Sequence, residues 1–336
     1  MGATAISDRI FLSKRATEEQ ITKSSDFFMG KSKLTEKKKW FRPSGSYRGL
    51  YMIQNFNDNA SKEDTYITMD ASVAVAMSFF EDKLIAVGQI GYAPIPRTLQ
   101  GQSQKVEEYR SREYYIGYRI EKEIGIYAGL MDKVYGIRVP DHTAYSRKVT
   151  GNDQNDQTHG VLAHYSVDPI EIGVHAFVGN LVQDADLRQR GVSAQIEYST
   201  STYTRVGASV LSSRSDYQDI NAQALHVRAG TGKGNSTMLE IGEVQKQPED
   251  SDKTKGRYLF LQNHLNFRRG LYGIMTVEAN QTDIDTRNYT ARFGPGVQWF
   301  PNQKIEIRSD IYNTKTYGTS AIADTWLFTG QLHLWF

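Results

Sequence analysis

The chain has 336 residues, of which only 39% are hydrophobic, and its mean hydropathy is −0.53. Its 40 basic and 38 acidic residues leave a formal net charge of +2. This balance argues against a nucleic-acid-binding protein, because such proteins need a clustered positive field. With 20 Tyr, 14 Phe, 4 Trp and 28 Gly but only 8 Pro, the composition favours β-strands over helices.

The absence of cysteine excludes disulfides, thiolate metal sites and thiol catalysis. The longest weakly polar run, residues 84–95, is much shorter than the roughly 20 apolar residues that a membrane helix needs. A helical membrane protein is therefore excluded. Residues 1–45 lack the continuous apolar segment of a signal peptide, so we expect the numbering of an exported protein to begin at its mature end.

The first predicted element is a short amphipathic helix at residues 16–28, followed by a basic cluster that ends in Trp40 and Phe41. From about residue 46 onward the pattern changes to a period of two, which helical spacing does not fit. Apolar side chains occupy alternate positions there, as in the segment Ile170, Ile172, Val174, Ala176 and Val178.

Sixteen such segments follow one another along the chain, and each is a candidate strand. They lie at about 46–57, 65–80, 84–93, 111–121, 124–133, 157–167, 170–182, 188–198, 203–213, 218–229, 236–246, 257–267, 271–282, 288–300, 304–314 and 325–336. The first, tenth and eleventh segments alternate poorly, so fourteen and eighteen strands stay open as alternatives.

The connections between these segments differ in length on the two sides of the predicted sheet. Most connections after even-numbered segments are very short, such as residues 168–169, whereas the longest ones, including 94–110 and 134–156, follow odd-numbered segments. An up-and-down barrel gives this parity, with tight turns at one end and longer loops at the other. The sequence therefore predicts an all-β chain in which residues 46–336 form a closed antiparallel transmembrane barrel.

The last segment alternates aromatic and apolar residues with polar ones and ends on Phe336. A half-buried strand of a soluble sheet is the alternative interpretation. A terminal Phe that closes an alternating aromatic strand resembles the assembly signal of bacterial outer-membrane β-barrels. This resemblance implies location in the bacterial outer membrane, contact with its lipid and lipopolysaccharide, and recognition by the barrel-assembly machinery.

The polar faces of the predicted strands carry charges of both signs. The residues expected to line the lumen are Arg119, Glu171, His175, Arg190, Glu197, Arg205, Glu278, Arg292, Glu306 and Arg308. A wall of this kind holds water and small solutes, and we expect mild ion selectivity from it. The alternative is that the charges pair with one another and fill a closed interior.

Over residues 46–336 the chain resembles sixteen-stranded general porins in strand count and loop parity. The resemblance implies that the loop after the fifth strand, Val134 to Asp156, folds inward and sets the pore constriction. The candidate constriction residues are Arg138, Asp141, His142 and Arg147. A loop that stands outward as a surface epitope or phage receptor is the alternative, and assembly as a homotrimer is left open.

We therefore expect a porin-like channel for passive diffusion of ions and small hydrophilic solutes, with no enzymatic activity and no cofactor. His159 and His164 are five apart on one strand and so face opposite sides, which argues against a shared metal. In the alternative function, the barrel is a scaffold occluded by residues 1–45 or by a partner protein. We expect residues 1–45 to form a periplasmic extension or plug. Four roles are left open for it: contact with anionic lipid headgroups, binding of a periplasmic partner, plugging of the barrel, or no role beyond a solvated tail.

Overall fold

The computed structural model describes residues 40–57, 62–92, 109–139, 141, 143–152, 156–232, 234–249, 251–318 and 323–336. It confirms the predicted all-β class, since sixteen antiparallel strands close into a single barrel. Within the described residues, no helix is sufficiently long and apolar to cross a membrane. The predicted helix at 16–28 lies outside the described residues.

The strands lie close to the predicted segments, and the fourth consists of two pieces that both pair with the third. Their bounds are β1 Phe41–Gln54, β2 Glu63–Phe79, β3 Leu84–Tyr92, β4 Tyr109–Arg110 with Tyr114–Arg119, β5 Ile124–Met131, β6 Thr158–Val167, β7 Ile170–Phe177, β8 Arg190–Ser199, β9 Thr204–Arg214, β10 Gln218–Gly232, β11 Asn235–Pro248, β12 Thr254–Arg268, β13 Leu271–Gln281, β14 Tyr289–Asn302, β15 Ile305–Tyr317 and β16 Ala323–Trp335. Among the described residues, a short helix, α1, spans Tyr145–Thr150.

Each strand pairs with its neighbours in the chain, and β1 pairs with β16 to close the barrel. The closing register places Ser46 opposite Trp335 and Gln54 opposite Leu327. Backbone hydrogen bonds continue this seam past the end of β16, because Gly45 and Phe336 exchange them at 3.3 and 3.2 Å. A closed barrel leaves no strand edge with unpaired backbone groups.

Side chains alternate between an apolar outer face and a polar inner face. Exposed outer residues include Val161, Val174, Val192, Val210, Leu225 and Ile241. Buried inner residues include His175, Ser193, His226, Gln262, Thr276 and Glu278. An apolar exterior with a polar interior is the pattern of a barrel that stands in lipid.

The two ends of the barrel differ as predicted from loop parity. The connections after even-numbered strands are tight, such as residues 168–169, 233–234 and 269–270, and we call this side the short-turn end. The other side, the long-loop end, carries connections such as 132–157 and 178–189. The second of these is longer than predicted, because β7 ends at Phe177 and not near residue 182.

Strand β1 begins at Phe41, before the predicted domain boundary at residue 46. Its first residues pair only with β2, where Phe41 lies opposite Met77. The basic residues around Lys39 and the proline at position 43 concealed this alternation in the sequence. Residues 1–39 lie outside the described residues, so the extension assigned to 1–45 stays a prediction.

Candidate functional site

The structure places the predicted lumen residues on the inner wall, with one exception. Those on the inner wall are Arg119, Glu171, His175, Glu197, Arg205, Glu278, Arg292, Glu306 and Arg308. Arg190 lies on the outer face and donates a hydrogen bond to the carbonyl oxygen of Ala185 at 2.9 Å. Its prediction was wrong because Arg190 is two residues from outward-facing Val192, and alternate residues of a strand share a face.

One network of charges lies on β13, β14 and β15. The Arg292 guanidinium binds the carboxylate of Glu278, which has no exposed surface. On the next strand, Arg308 Nε donates to Asp310 Oδ2 at 2.8 Å. Because each guanidinium contacts a carboxylate, the positive and negative charges of this wall largely cancel.

A second network lies on β7 to β10, towards the short-turn end. Arg205 Nη1 is 2.9 Å from a Glu171 oxygen and 3.4 Å from Glu197 Oε2. Glu197 also accepts a hydrogen bond from Arg228, and its Oε1 lies 2.9 Å from His226 Nε2. Two arginines and a histidine therefore surround one carboxylate.

The two histidines of β6 lie on opposite faces of the wall. His164 faces inward, with Nε2 3.2 Å from Glu171 Oε1, whereas His159 Nε2 lies 2.5 Å from the hydroxyl of outward-facing Tyr114. In the described part of the chain, no group of three or more His, Asp or Glu side chains is placed to hold a metal ion.

The described residues of the connection between β5 and β6, which spans 132–157, lie inside the barrel. The Ile137 backbone N–H donates a hydrogen bond to Glu240 Oε2 on β11. The other oxygen of Glu240 accepts from the Tyr258 hydroxyl at 2.8 Å, and that hydroxyl lies 3.2 Å from the hydroxyl of Tyr135. The first part of the loop is therefore bound to the inner wall by buried polar contacts.

Apolar side chains of the same loop pack against two patches of the inner wall. Tyr135 and Val149 contact a patch formed by Leu211, Ile220, Ala222, Ala224, Val244 and Tyr258. Ile137, Val139 and Ala144 contact Phe260 and Met238. Burial of these groups removes apolar surface from water and favours the inward position of the loop.

The tip of the loop reaches the charged wall of β13 to β15. The Tyr145 N–H donates to Glu278 Oε1 at 2.7 Å, and Arg292 Nη1 donates to Thr143 Oγ1 at 2.8 Å. The Arg292 guanidinium also lies 4.9 Å from the Tyr145 ring and 4.3 Å from the Tyr312 ring. Arg292 thus joins the loop to the wall through both hydrogen bonds and cation–π contacts.

Asp141 lies beside this junction. Its Oδ2 accepts a hydrogen bond from the Tyr312 hydroxyl at 3.1 Å and is 4.0 Å from both Arg292 and Arg308. Its Oδ1 accepts from the Thr143 backbone N–H at 2.8 Å, which shapes the turn before α1. The carboxylate therefore adds negative charge between two guanidinium groups.

The other predicted constriction residues have separate positions. Arg138 forms an ion pair with Asp132 near the beginning of the loop. Arg147 is buried in α1, and His142 lies outside the described residues. The structure thus places Asp141 at the loop tip and Arg138 at its base, and their role as a constriction stays a prediction.

Lys133 supports the end of α1. Its Nζ donates to the carbonyl oxygen of Gly151 at 2.7 Å, and burial lowers the pKa of Lys133. Gly151 ends the helix with φ of 65°, a left-handed conformation that glycine adopts without steric cost. This contact joins the two ends of the inward loop.

Sequence reasoning missed several wall residues that hold the loop or the charges. These are His226, Arg228, Glu240, Tyr258 and Tyr312. Glu240 lies next to outward-facing Ile241 in β11, so strand parity was the signal available for it. That segment alternates poorly, which weakened the signal.

Similar backbones occur among solved protein structures. OmpT of Vibrio cholerae in its trimer form gives a TM-score of 0.67 at 10% identity, over 88% of this chain and 99% of that chain. An anion-selective porin from Comamonas acidovorans gives 0.66 at 7% identity, over 88% and 99%. OmpF of Salmonella typhi gives 0.64 at 12% identity, over 88% and 97%.

No protein-family model matches the sequence, and no curated protein matches it. At these low identities the structural likeness concerns the fold. The chain is an outer-membrane-type β-barrel with the porin fold, which confirms the expected resemblance to sixteen-stranded porins at that level.

Proposed function

We propose that this porin-fold barrel is a water-filled channel in a bacterial outer membrane, through which ions and small hydrophilic solutes diffuse passively. The observation that carries the proposal is the inward loop 132–157, which contacts β11 and β12 near its beginning and β13 to β15 at its tip. A loop held at both places narrows a lumen without adding a domain. The polar inner wall and the apolar outer wall support the same function.

The proposed constriction involves Arg138, Asp141, His142 and Arg147. Fixed charges act strongly where a pore is narrow and poorly screened, so a charge on the loop changes ion preference more than one on a wide part of the wall. Asp141 is the best placed of these residues, because its carboxylate lies at the loop tip beside two arginines.

The test is single-channel recording from purified protein in planar lipid bilayers. We expect discrete conductance steps that grow with salt concentration and last through long recordings. A second sample lacking residues 1–39 controls for a plug formed by the extension. Absence of steps from both samples, with folding verified by a gel mobility that changes on boiling, would reject the channel and favour the scaffold alternative.

Assembly as a homotrimer is part of the proposal, supported by the likeness to the trimer form of OmpT. The mass of the detergent-solubilised complex, measured by light scattering with the detergent contribution subtracted, tests it. We expect three copies of the 38.0 kDa chain. Lipopolysaccharide and the assembly machinery remain predicted partners.

A further inference from the structure

Four arginine side chains lie on the inner face at the short-turn end of the barrel. Arg42 and Arg205 are each the second residue of a strand that begins there, Arg119 ends the second piece of β4, and Arg228 pairs with Arg205. We call these four residues the mouth arginines. In the closed ring of sixteen strands β1 lies opposite β9, and β4 lies between them on one side, so the mouth arginines are distributed around the opening.

The mouth arginines are more accessible than the carboxylates near them. The side chains of Arg228 and Arg205 are 34% and 20% exposed, whereas those of Glu197 and Glu171 are 4% and 6% exposed. Water in the mouth therefore contacts guanidinium groups, and the carboxylates lie behind them. A solute at this end meets positive charge first.

The other pair of mouth arginines has no carboxylate partner among the described residues. Arg42 Nη2 donates to a neutral acceptor, the Ser78 hydroxyl, at 2.9 Å. Arg119 is a partly buried residue of the inner wall, at the end of the second piece of β4. Since their charges are not neutralised by an ion pair within the described chain, both contribute a field to the opening.

Acidic groups at the same end do not cancel this field. Glu306 is the inner carboxylate of β15 nearest this end, and it is buried with His333 Nδ1 at 3.2 Å and Gln298 Nε2 at 2.6 Å. The described turns of this end carry five acidic and four basic side chains, so their charges nearly cancel. These are Glu81, Asp82, Glu121, Glu123 and Asp168 against Lys83, Lys122, Arg269 and Lys304.

We infer that the mouth arginines make the channel prefer anions and bind small oxyanions, of the carboxylate and phosphate class, at the short-turn end. The inference rests on the proposed channel function and adds a solute class to it. A guanidinium fork matches the geometry of two oxygens on one anion, which favours oxyanions over a simple halide.

The test is the reversal potential of single channels in a KCl gradient, with native protein, R42Q/R119Q and a matched control, R190Q/R214Q. The control also removes two arginine charges, but from the outer wall, where Arg190 and Arg214 are exposed. We expect a chloride-preferring native channel, a chloride-to-potassium permeability ratio lowered by about twofold or more in R42Q/R119Q, and the native ratio in the control.

Arg205 and Arg228 are left intact in this test, because removing them would leave Glu197 buried without a cation. The variant R42K/R119K keeps both charges and is expected to keep the native ratio. Inorganic phosphate is then added on both sides at constant ionic strength. It should reduce chloride current in the native channel and the control, and less in R42Q/R119Q.

Failure of the inference is distinguishable from failure of the channel. A native channel that conducts but prefers potassium, or an R42Q/R119Q ratio equal to that of the control, overturns the role of the mouth arginines. Equal phosphate block in the native channel and R42Q/R119Q overturns the oxyanion site. Folded native protein without conductance overturns the channel function and the inference together.

Discussion

Glu278 holds two separate parts of the chain with its two carboxylate oxygens. One oxygen accepts the backbone N–H of Tyr145 from the inward loop, and the other binds Arg292 of the neighbouring strand. The carboxylate is completely buried, so water cannot take the place of Tyr145 or Arg292 if either contact is lost. A single side chain thus couples the position of the loop to the charge balance of the wall.

We expect Glu278→Ala to destabilise the barrel by about 3 kcal/mol, because removal of one member of a buried ion pair leaves the other uncompensated. The free energy of unfolding in urea, measured on protein folded into vesicles, checks this. Asp219→Ala is the control. Asp219 forms an ion pair with Arg214, both side chains are exposed, and we expect such a surface ion pair to contribute about 0–1 kcal/mol to stability. Equal losses in both variants would contradict the prediction.

Asp141 is a proposed constriction residue that also shapes the loop tip through its contacts with Thr143 and Tyr312. We expect Asp141→Asn to shift the reversal potential towards the equilibrium potential of chloride, because the variant removes a negative charge that lies beside Arg292 and Arg308. The amide oxygen still accepts from the Thr143 N–H, and the amide nitrogen can donate to the Tyr312 hydroxyl in place of accepting from it, so the loop tip stays in place. A reversal potential unchanged in channels of normal conductance would show that Asp141 does not face the ion path.

Strand parity predicted which face most single residues occupy, but it did not predict their partners. The contact between Tyr145 and Glu278 joins positions separated by 133 residues, and no local pattern encodes such a distance. Arg190 shows the opposite failure, since its parity with Val192 already placed it outside. Charge alone was a poor guide to the inner face.

Strand β11 shows how one element serves two environments. Glu240 faces inward and binds the loop, whereas Glu243 faces outward and pairs with Lys255 at 2.8 Å. These two acidic residues lie on opposite faces of the strand because they are three residues apart, and an odd separation changes the face when the period is two. The same side-chain chemistry therefore fastens the loop on one face and forms a surface ion pair on the other.

We expect Glu240→Ala to release the beginning of the inward loop, because the Ile137 N–H and the Tyr258 hydroxyl both lose their acceptor. Each unsatisfied buried donor costs about 1–3 kcal/mol. Trypsin cleavage after Arg138, followed by mass spectrometry, should become faster in this variant. In the control, Glu243→Ala, the cleavage rate should equal that of the native protein. If Glu240→Ala is also cleaved at the native rate, the role of Glu240 is refuted.

The elements themselves were largely predictable, since alternation marked most of the sixteen strands and was poor only in the first, tenth and eleventh segments. The start of β1 was missed because Phe41 follows a run of charged residues. Helix α1 was missed because six residues are too few to show a helical period. It forms within the loop, where Val149 and other loop residues pack on the wall.

At the scale of the whole molecule, closure depends on the pairing of the first and last strands. Phe336 follows β16, and its backbone exchanges hydrogen bonds with Gly45, but its ring is largely exposed. The ring therefore contributes little buried surface to the finished barrel. Its role as an assembly signal, implied by the resemblance to outer-membrane barrels, remains a prediction.

We expect deletion of Phe336 to lower the amount of barrel inserted in cells while leaving the unfolding midpoint of the inserted fraction close to native. The register from Ser46 to Gln54 keeps the seam paired without it. Membrane fractionation with unboiled gels gives the first quantity, and urea titration of purified barrels gives the second. Native yield in the variant would contradict an assembly role.

The inward loop has a further consequence for the order in which the molecule is completed. It leaves the chain after β5, yet the side chains that fasten it belong to later strands, from Glu240 on β11 to Tyr312 on β15. During synthesis, the loop is therefore made long before its partners exist. A chain interrupted before β11 would keep the packing of the loop on β9 and β10 but would lack Glu240 and Glu278, so the proposed constriction takes its final form only when the carboxyl-terminal third joins the wall.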